Sequence, residues 1–126
     1  MGIESYITFT YYVPYEKVSG YIACADVCVA PMIDDVGTPN KILEYLALGK
    51  ATVSSVWPGL TALIDSDCLL YFRPGDEVEL AERILELYRS SEKRASLGRS
   101  AKAFYQQYRW PLMLQRYLEV YKKLCG

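Results

Sequence analysis

Histidine is absent from the 126 residues. That removes Ser-His and Cys-His nucleophilic pairs within the chain and leaves acid–base work to carboxylates, lysine or tyrosine. The four cysteines, Cys24, Cys28, Cys68 and Cys125, form no Cys-x-x-Cys pair. With no histidine to complete a ligand set, they read as small apolar residues and no metal is expected. Charge of one sign is not in excess either: 14 Lys and Arg stand against 15 Asp and Glu, a formal net charge of -1. That balance supplies no basic field for nucleic acid or an anionic membrane surface. No apolar run is long enough to span a bilayer, and the start of the chain shows no signal-peptide pattern. A cytoplasmic setting is therefore expected.

What is present alternates, in the first 75 residues, between strand-like and helix-like runs. Tyr6 to Tyr11 is rich in strand formers. Val18, Tyr21, Ile22 and Ala25 then recur at helical spacing. Val27 to Ala30 is a continuous apolar run, as in a strand covered on both faces, and Pro31 ends it. After a polar loop, Thr38 is placed to cap a helix that opens at Pro39, shows Ile42, Leu43, Leu46 and Ala47 on one face, and stops at Gly49. Two more strands follow, Ala51 to Ser54 and Leu69 to Phe72, with a Trp57-Pro58-Gly59 turn between them and Arg73-Pro74-Gly75 after them.

From residue 76 to 126 the pattern is helical only. Asp76 and Glu79 form a capping box for a helix with Val78, Ala81, Ile84, Leu85 and Tyr88 as its expected buried stripe. A second helix carries Leu97, Ala101, Phe104, Tyr105 and Tyr108. A third opens at Trp110-Pro111, with Trp110 as an entry anchor, and carries Leu114, Tyr117, Leu118, Tyr121 and Leu124. The 12 tyrosines are expected to serve mainly as core packing, since most sit at core-facing spacing or in strands. The expectation is a single partial α/β domain, 1–126, with about four parallel strands and three C-terminal helices.

In a parallel α/β sheet, ligands bind beyond the carboxyl ends of the strands. The loop Pro31 to Asn40 takes that place. Gly37-Thr38-Pro39 at a helix start offers free backbone N–H groups and the positive end of a dipole, which suits a phosphate. Glu44, one turn beyond Lys41, can accept two hydrogen bonds from a vicinal diol such as a ribose. Lys41 and Glu44 alone are equally readable as a surface ion pair.

Val27 to Pro31, the loop after it, and Lys41-Ile-Leu-Glu44-Tyr45-Leu-Ala-Leu-Gly49-Lys50 resemble the donor-site signature of family 4 (group 1) retaining glycosyltransferases of the GT-B type. Ile7 to Pro14 resembles the strand that leads into that family's nucleobase loop. Tyr21 to Val27, Trp57 to Ile64, Tyr71 to Gly75 and Trp110 to Leu124 continue the likeness in collinear order. The resemblance implies a Rossmann-like sheet, the latter half of a C-terminal GT-B domain, and a nucleoside-diphosphate sugar as ligand. It implies that Glu44 binds the ribose hydroxyls, that Gly37, Thr38, Pro39 and Asn40 face the diphosphate and sugar, that Val13 holds the base through its main chain, and that Lys41 matches a lysine found in a subset of members. It implies no metal, and it leaves the catalytic residues unassigned.

The sequence departs from that pattern in three places. Val36 stands where many members carry a second glutamate. Tyr11 or Tyr12 replaces a glycine before the Val13-Pro14 turn. The basic residues that clamp the diphosphate, and the whole acceptor domain, fall upstream of Met1. Lacking the first two strands of the family's sheet, the chain is expected to be inactive alone. It is also expected to self-associate, as a homodimer or otherwise, or to let Tyr6 to Tyr11 pair with Val27 to Ala30. The parent would transfer a hexose-type sugar with retention and could sit peripherally at the inner membrane. The alternative is a non-catalytic module, derived from such an enzyme, that binds a nucleotide or a partner.

Overall fold

The structure is a computed structural model that describes residues 2–34 and 40–126. Three parallel strands, β1 (Val27–Ala30), β2 (Ala51–Ser55) and β3 (Leu70–Phe72), lie in the order β1-β2-β3. Val27 pairs with Ala51 and Ala30 with Ser54, while Val53 pairs with Leu70 and Ser55 with Phe72. β2 is the central strand and every residue of it is buried. A short apolar or hydroxyl-bearing run without charge is what such a position demands. Buried Ser54 and Ser55 find partners there: the Ser55 hydroxyl lies 2.7 Å from Met32 O and accepts from Met32 N–H at 2.7 Å, and Ser54 Oγ reaches Ala30 O at 3.5 Å.

Around the sheet run α1 (Tyr15–Cys24), α2 (Asn40–Ala47), α3 (Pro58–Thr61), α4 (Glu77–Arg89), α5 (Ser91–Tyr105) and α6 (Trp110–Cys125). One core cluster joins Ala30, Ile42, Leu46, Leu60, Ile64, Leu69 and Ala101, and a second joins Ala51, Val53, Phe72, Leu87 and Leu97. Helix α5 contributes to both, through Ala101 and Leu97, and so closes the domain. Tyr71 packs beside the first cluster and donates its hydroxyl to Ile64 O at 2.8 Å. Burial, then the neighbouring Cys68 and Asp65, push its phenol up to about 12.

Helix ends follow from local chemistry. Gly49 adopts φ 65° and ends α2 in a Schellman arrangement, its N–H donating to Leu46 O and Lys50 N–H to Tyr45 O, each at 3.0 Å. Asp76 caps α4, its Oδ1 accepting from Glu79 N–H at 2.9 Å. The return half of the expected box is redirected: the Glu79 carboxylate accepts from Arg73 N–H at 2.8 Å and also meets the Arg73 and Arg83 guanidinium groups. These contacts, the backbone bond from Arg73 first, hold the Glu79 carboxyl below the usual carboxylate range. Asp76→Ala is expected to cost about 1 kcal/mol in chemical denaturation, as a lost cap, and to leave ligand binding unchanged. A binding defect without a stability loss would mean that the site lies at α4.

Several expectations are corrected. Tyr6 to Tyr11 forms no strand: Glu4–Tyr6 is a 3-10 turn and the residues after it carry no strand assignment. Strand formers need a neighbour, and no described strand lies beside them. The edge of β1 facing away from β2 thus pairs with no described strand. Trp57 caps the short helix α3 in place of a simple turn. On α4 the buried side is Leu80, Ile84 and Leu87, while Val78, Ala81, Leu85 and Tyr88 are exposed. Arg83 Nε donates to Tyr71 O at 3.1 Å, which rotates that face toward the sheet. Tyrosine is not mainly core: Tyr6, Tyr11, Tyr12, Tyr15, Tyr21, Tyr88, Tyr117 and Tyr121 are exposed. Helix α6 buries no residue, and Trp110, 77% exposed, opens it without anchoring it.

Candidate functional site

The carboxyl end of β1 leads into the loop that the sequence singles out. Met32 is tied back to β2 by Ser55, so the chain leaves the sheet from a fixed point. Gly37, Thr38 and Pro39, with Asp35 and Val36, lie outside the described residues. Asn40, the first residue of α2, is exposed, as is Lys41. Glu44, one turn further, is half-buried. Among the described residues no ion pair joins Lys41 to Glu44, which removes the surface-pair reading. The orientation of Glu44 follows from its helix: Ile42 and Leu46 are fully buried, which fixes α2 on the sheet and leaves Glu44 at the margin of the packed face.

Glu44 is shared by two cavities. One, about 310 Å³, lies between α1 and α2 and is lined by Tyr15, Val18, Ser19 and Ile22 on one side and Glu44, Ala47 and Leu48 on the other. The second, about 420 Å³, is lined by Asn40, Leu43 and Glu44 together with Tyr15, Tyr105, Tyr108, Trp110 and Tyr117. A third, also about 420 Å³, contains Val13 with Thr10, Tyr11, Tyr12 and Tyr21, and it shares Val18 and Ile22 with the first. Three adjoining cavities therefore run along α1, with Val13 at one end and Asn40 and Glu44 at the other. Lys41 lines none of them. Such a surface offers two carboxylates, Glu44 and Glu16, for hydroxyl groups and aromatic faces for a flat ring.

The aromatic wall escapes a reading of the sequence. Tyr105, Tyr108 and Trp110 look like core-facing or helix-entry residues by spacing, and only the fold brings them opposite Asn40 and Glu44. Tyr15 has a local signal, standing directly after the Val13-Pro14 turn. The structure also decides which tyrosine occupies the position where glycine is expected: Tyr11 has φ 50°. This left-handed conformation costs about 1–2 kcal/mol in a residue with a Cβ. The Tyr11 ring stays exposed, 6.3 Å from that of Phe9 in a tilted arrangement. Tyr11→Gly is expected to leave stability within about 1 kcal/mol of the unmodified chain, and so the thermal midpoint little changed, because relief of strain offsets added chain entropy. Tyr11→Val, β-branched, is expected to lower it. Equal midpoints for the two variants would contradict a strained Tyr11.

Four free cysteines divide by burial, Cys28 and Cys68 inside and Cys24 and Cys125 outside. Burial pushes the Cys28 and Cys68 thiols up, away from thiolate chemistry. Among the described residues no group of His, Cys, Asp or Glu is arranged to hold a metal ion. Among the described residues no helix is long and apolar enough to cross a membrane.

Comparison with known proteins gives a consistent family. The model of glycosyl transferases group 1 matches residues 1–90. An uncharacterised glycosyltransferase of Methanocaldococcus jannaschii is 23% identical over 122 residues, 95% of this chain and 31% of that protein. Among solved structures, sucrose-phosphate synthase of Thermosynechococcus elongatus superposes with a TM-score of 0.87 at 22% identity, covering 97% of this chain and 31% of the enzyme. Anabaena HepE in complex with UDP gives 0.74 at 21% identity, covering 82% of this chain and 29% of that one. The chain thus spans about a third of the length of these relatives. At such identities the structures establish the shared GT-B fold, while the matched residues take in β1 to β3, α1 to α4 and the Val13 and Glu44 positions. On that match the chain belongs to the group 1 glycosyltransferases.

Proposed function

We propose that this chain is the donor-binding part of a retaining glycosyltransferase whose donor is a nucleoside diphosphate joined to a hexose-type sugar. The observation that carries the reading is the placement of Val13, Asn40 and Glu44 on adjoining cavities along α1. Val13 would present its main chain to the base, and Glu44 would accept the ribose hydroxyls. Asn40, with Gly37, Thr38 and Pro39, would face the diphosphate and sugar, where the helix start favours negative charge. Lys41, exposed and outside the cavities, would act as a diffuse counter-charge. The UDP held by HepE supports a nucleotide as the ligand class.

The reading assigns no metal and places the site on the cytoplasmic side. It also holds that the chain alone transfers no sugar, a reading supported by the lack of any Lys or Arg among the described residues that line the three cavities. A β1 edge that pairs with no described strand, and the exposure of Phe9, Tyr12, Tyr117 and Tyr121, support self-association. Thermal-shift titration with uridine, guanosine and adenosine diphosphate sugars tests the ligand class, because a ligand at 100 times its Kd stabilises by about 2.7 kcal/mol. A rise with one base is expected, beside a flat donor-hydrolysis assay and light scattering above the monomer mass. No rise with any nucleotide, or a monomer that turns over donor, would contradict the proposal.

A further inference from the structure

We propose that Lys50 is a positioning residue for the nucleotide groove: it fixes α1 against α2 and so sets the gap into which Glu44 faces. The proposal rests on the donor-binding reading above. Helix α1 supplies one whole wall of the cavity that contains Glu44, yet it is weakly held. Ile22 is its single buried residue among the described ones, and its contacts with other elements are sparse. Packing alone gives α1 little reason to keep one position.

Lys50 supplies the missing attachment. Its ammonium donates to Ala23 O at 2.6 Å and to Ala25 O at 3.0 Å, the carbonyls at the end of α1. Cationic groups there satisfy carbonyls left open by the helix and meet the negative end of its dipole. The same residue is bound to the end of α2 through its backbone, by the bond from Lys50 N–H to Tyr45 O. It also immediately precedes β2, whose first residue pairs with Val27 at the start of β1. One residue therefore ties the ends of both groove helices to the sheet, and its side chain spans the distance between them. Lys50 lines none of the cavities, so its effect on a ligand passes through α1.

Lys50→Met keeps the length of the stem and removes the donors, and Lys50→Arg restores them. UDP is the probe, titrated by calorimetry into the unmodified chain, both variants and Glu44→Gln. Amide hydrogen exchange is followed in α1 and in β2. The expected result is a UDP affinity about tenfold weaker in Lys50→Met and largely recovered in Lys50→Arg. Exchange should quicken across Tyr15–Cys24 while β2 stays protected. Unchanged affinity and unchanged α1 exchange in Lys50→Met would overturn the proposal. So would equal acceleration in α1 and β2, the mark of a general loss of stability. If the unmodified chain binds neither UDP nor guanosine or adenosine diphosphate, the donor reading falls; α1 exchange still decides whether Lys50 holds the helix.

Discussion

Gly98→Ala is expected to lower the thermal midpoint by about 10 °C, roughly 3 kcal/mol for a chain of this size. A Cβ at Gly98 would lie 2.3 Å from Gly49 O and 3.2 Å from the carbonyl carbon of Gly49. The reverse approach is tight but less severe, with a Cβ at Gly49 3.1 Å from Gly98 O. Backbone meets backbone here, so no rotamer can give way, and α5 must move off the end of α2. That contact is where α5 closes both core clusters. Alanine gains about 1 kcal/mol of helix propensity over glycine, too little to offset the overlap. Gly20, within α1 and with nothing inside 4 Å of its Cβ position, is the control. Gly20→Ala is expected to raise the midpoint slightly. Circular dichroism melts of both variants check the pair, and an unchanged midpoint for Gly98→Ala would contradict the close packing of α5 on α2.

Glu44→Gln is expected to weaken nucleoside diphosphate binding by about 10- to 150-fold, corresponding to charge-assisted hydrogen bonds of about 1.5–3 kcal/mol. The substitution keeps the shape of the side chain. No hydrogen bond or ion pair of the Glu44 side chain is present among the described residues, so folding should not notice the change. Calorimetric titration of UDP, beside a thermal melt, separates the two effects. An intact affinity would remove Glu44 from the ligand. A lowered midpoint with proportionate loss of binding would make it structural.

Much of the fold was legible because it rests on local signals. Gly49 ends α2 through its left-handed backbone, Asp76 caps α4, and Pro111 follows the first residue of α6, all as their sequence neighbourhoods suggest. The uncharged runs at 27–30 and 51–55 became the β1–β2 pair for the same reason. What failed depends on partners that no local window contains. Tyr6 to Tyr11 has strand propensity and no described strand beside it. The exposed side of α4 was misread because Arg83 binds the carbonyl of Tyr71, a contact made across the β3–α4 turn. Gly98 carries no local signal of its role, and only its approach to Gly49 explains why a side chain is excluded.

The site divides in the same way. Glu44 stood out by its distance from a phosphate-ready loop, and it lines two of the cavities along α1. Lys41 stood out equally and lies outside them. Tyr105, Tyr108 and Trp110 could be found only after α5 and α6 were placed around α2. Lys50 gave no signal at all, since a lysine after a helix-ending glycine is commonplace and its role depends on where α1 ends.

The account's central claim is that a nucleotide lies along α1 between Val13 and Glu44. Backbone amide chemical shifts, followed while UDP is titrated into the isotope-labelled chain, test it most directly. Saturable changes are predicted to cluster on Val13, Tyr15, Asn40, Lys41 and Glu44, with α4 and the far end of α6 unmoved. Changes centred on α4 or α6, or no saturable change at millimolar UDP or guanosine or adenosine diphosphate, would contradict it.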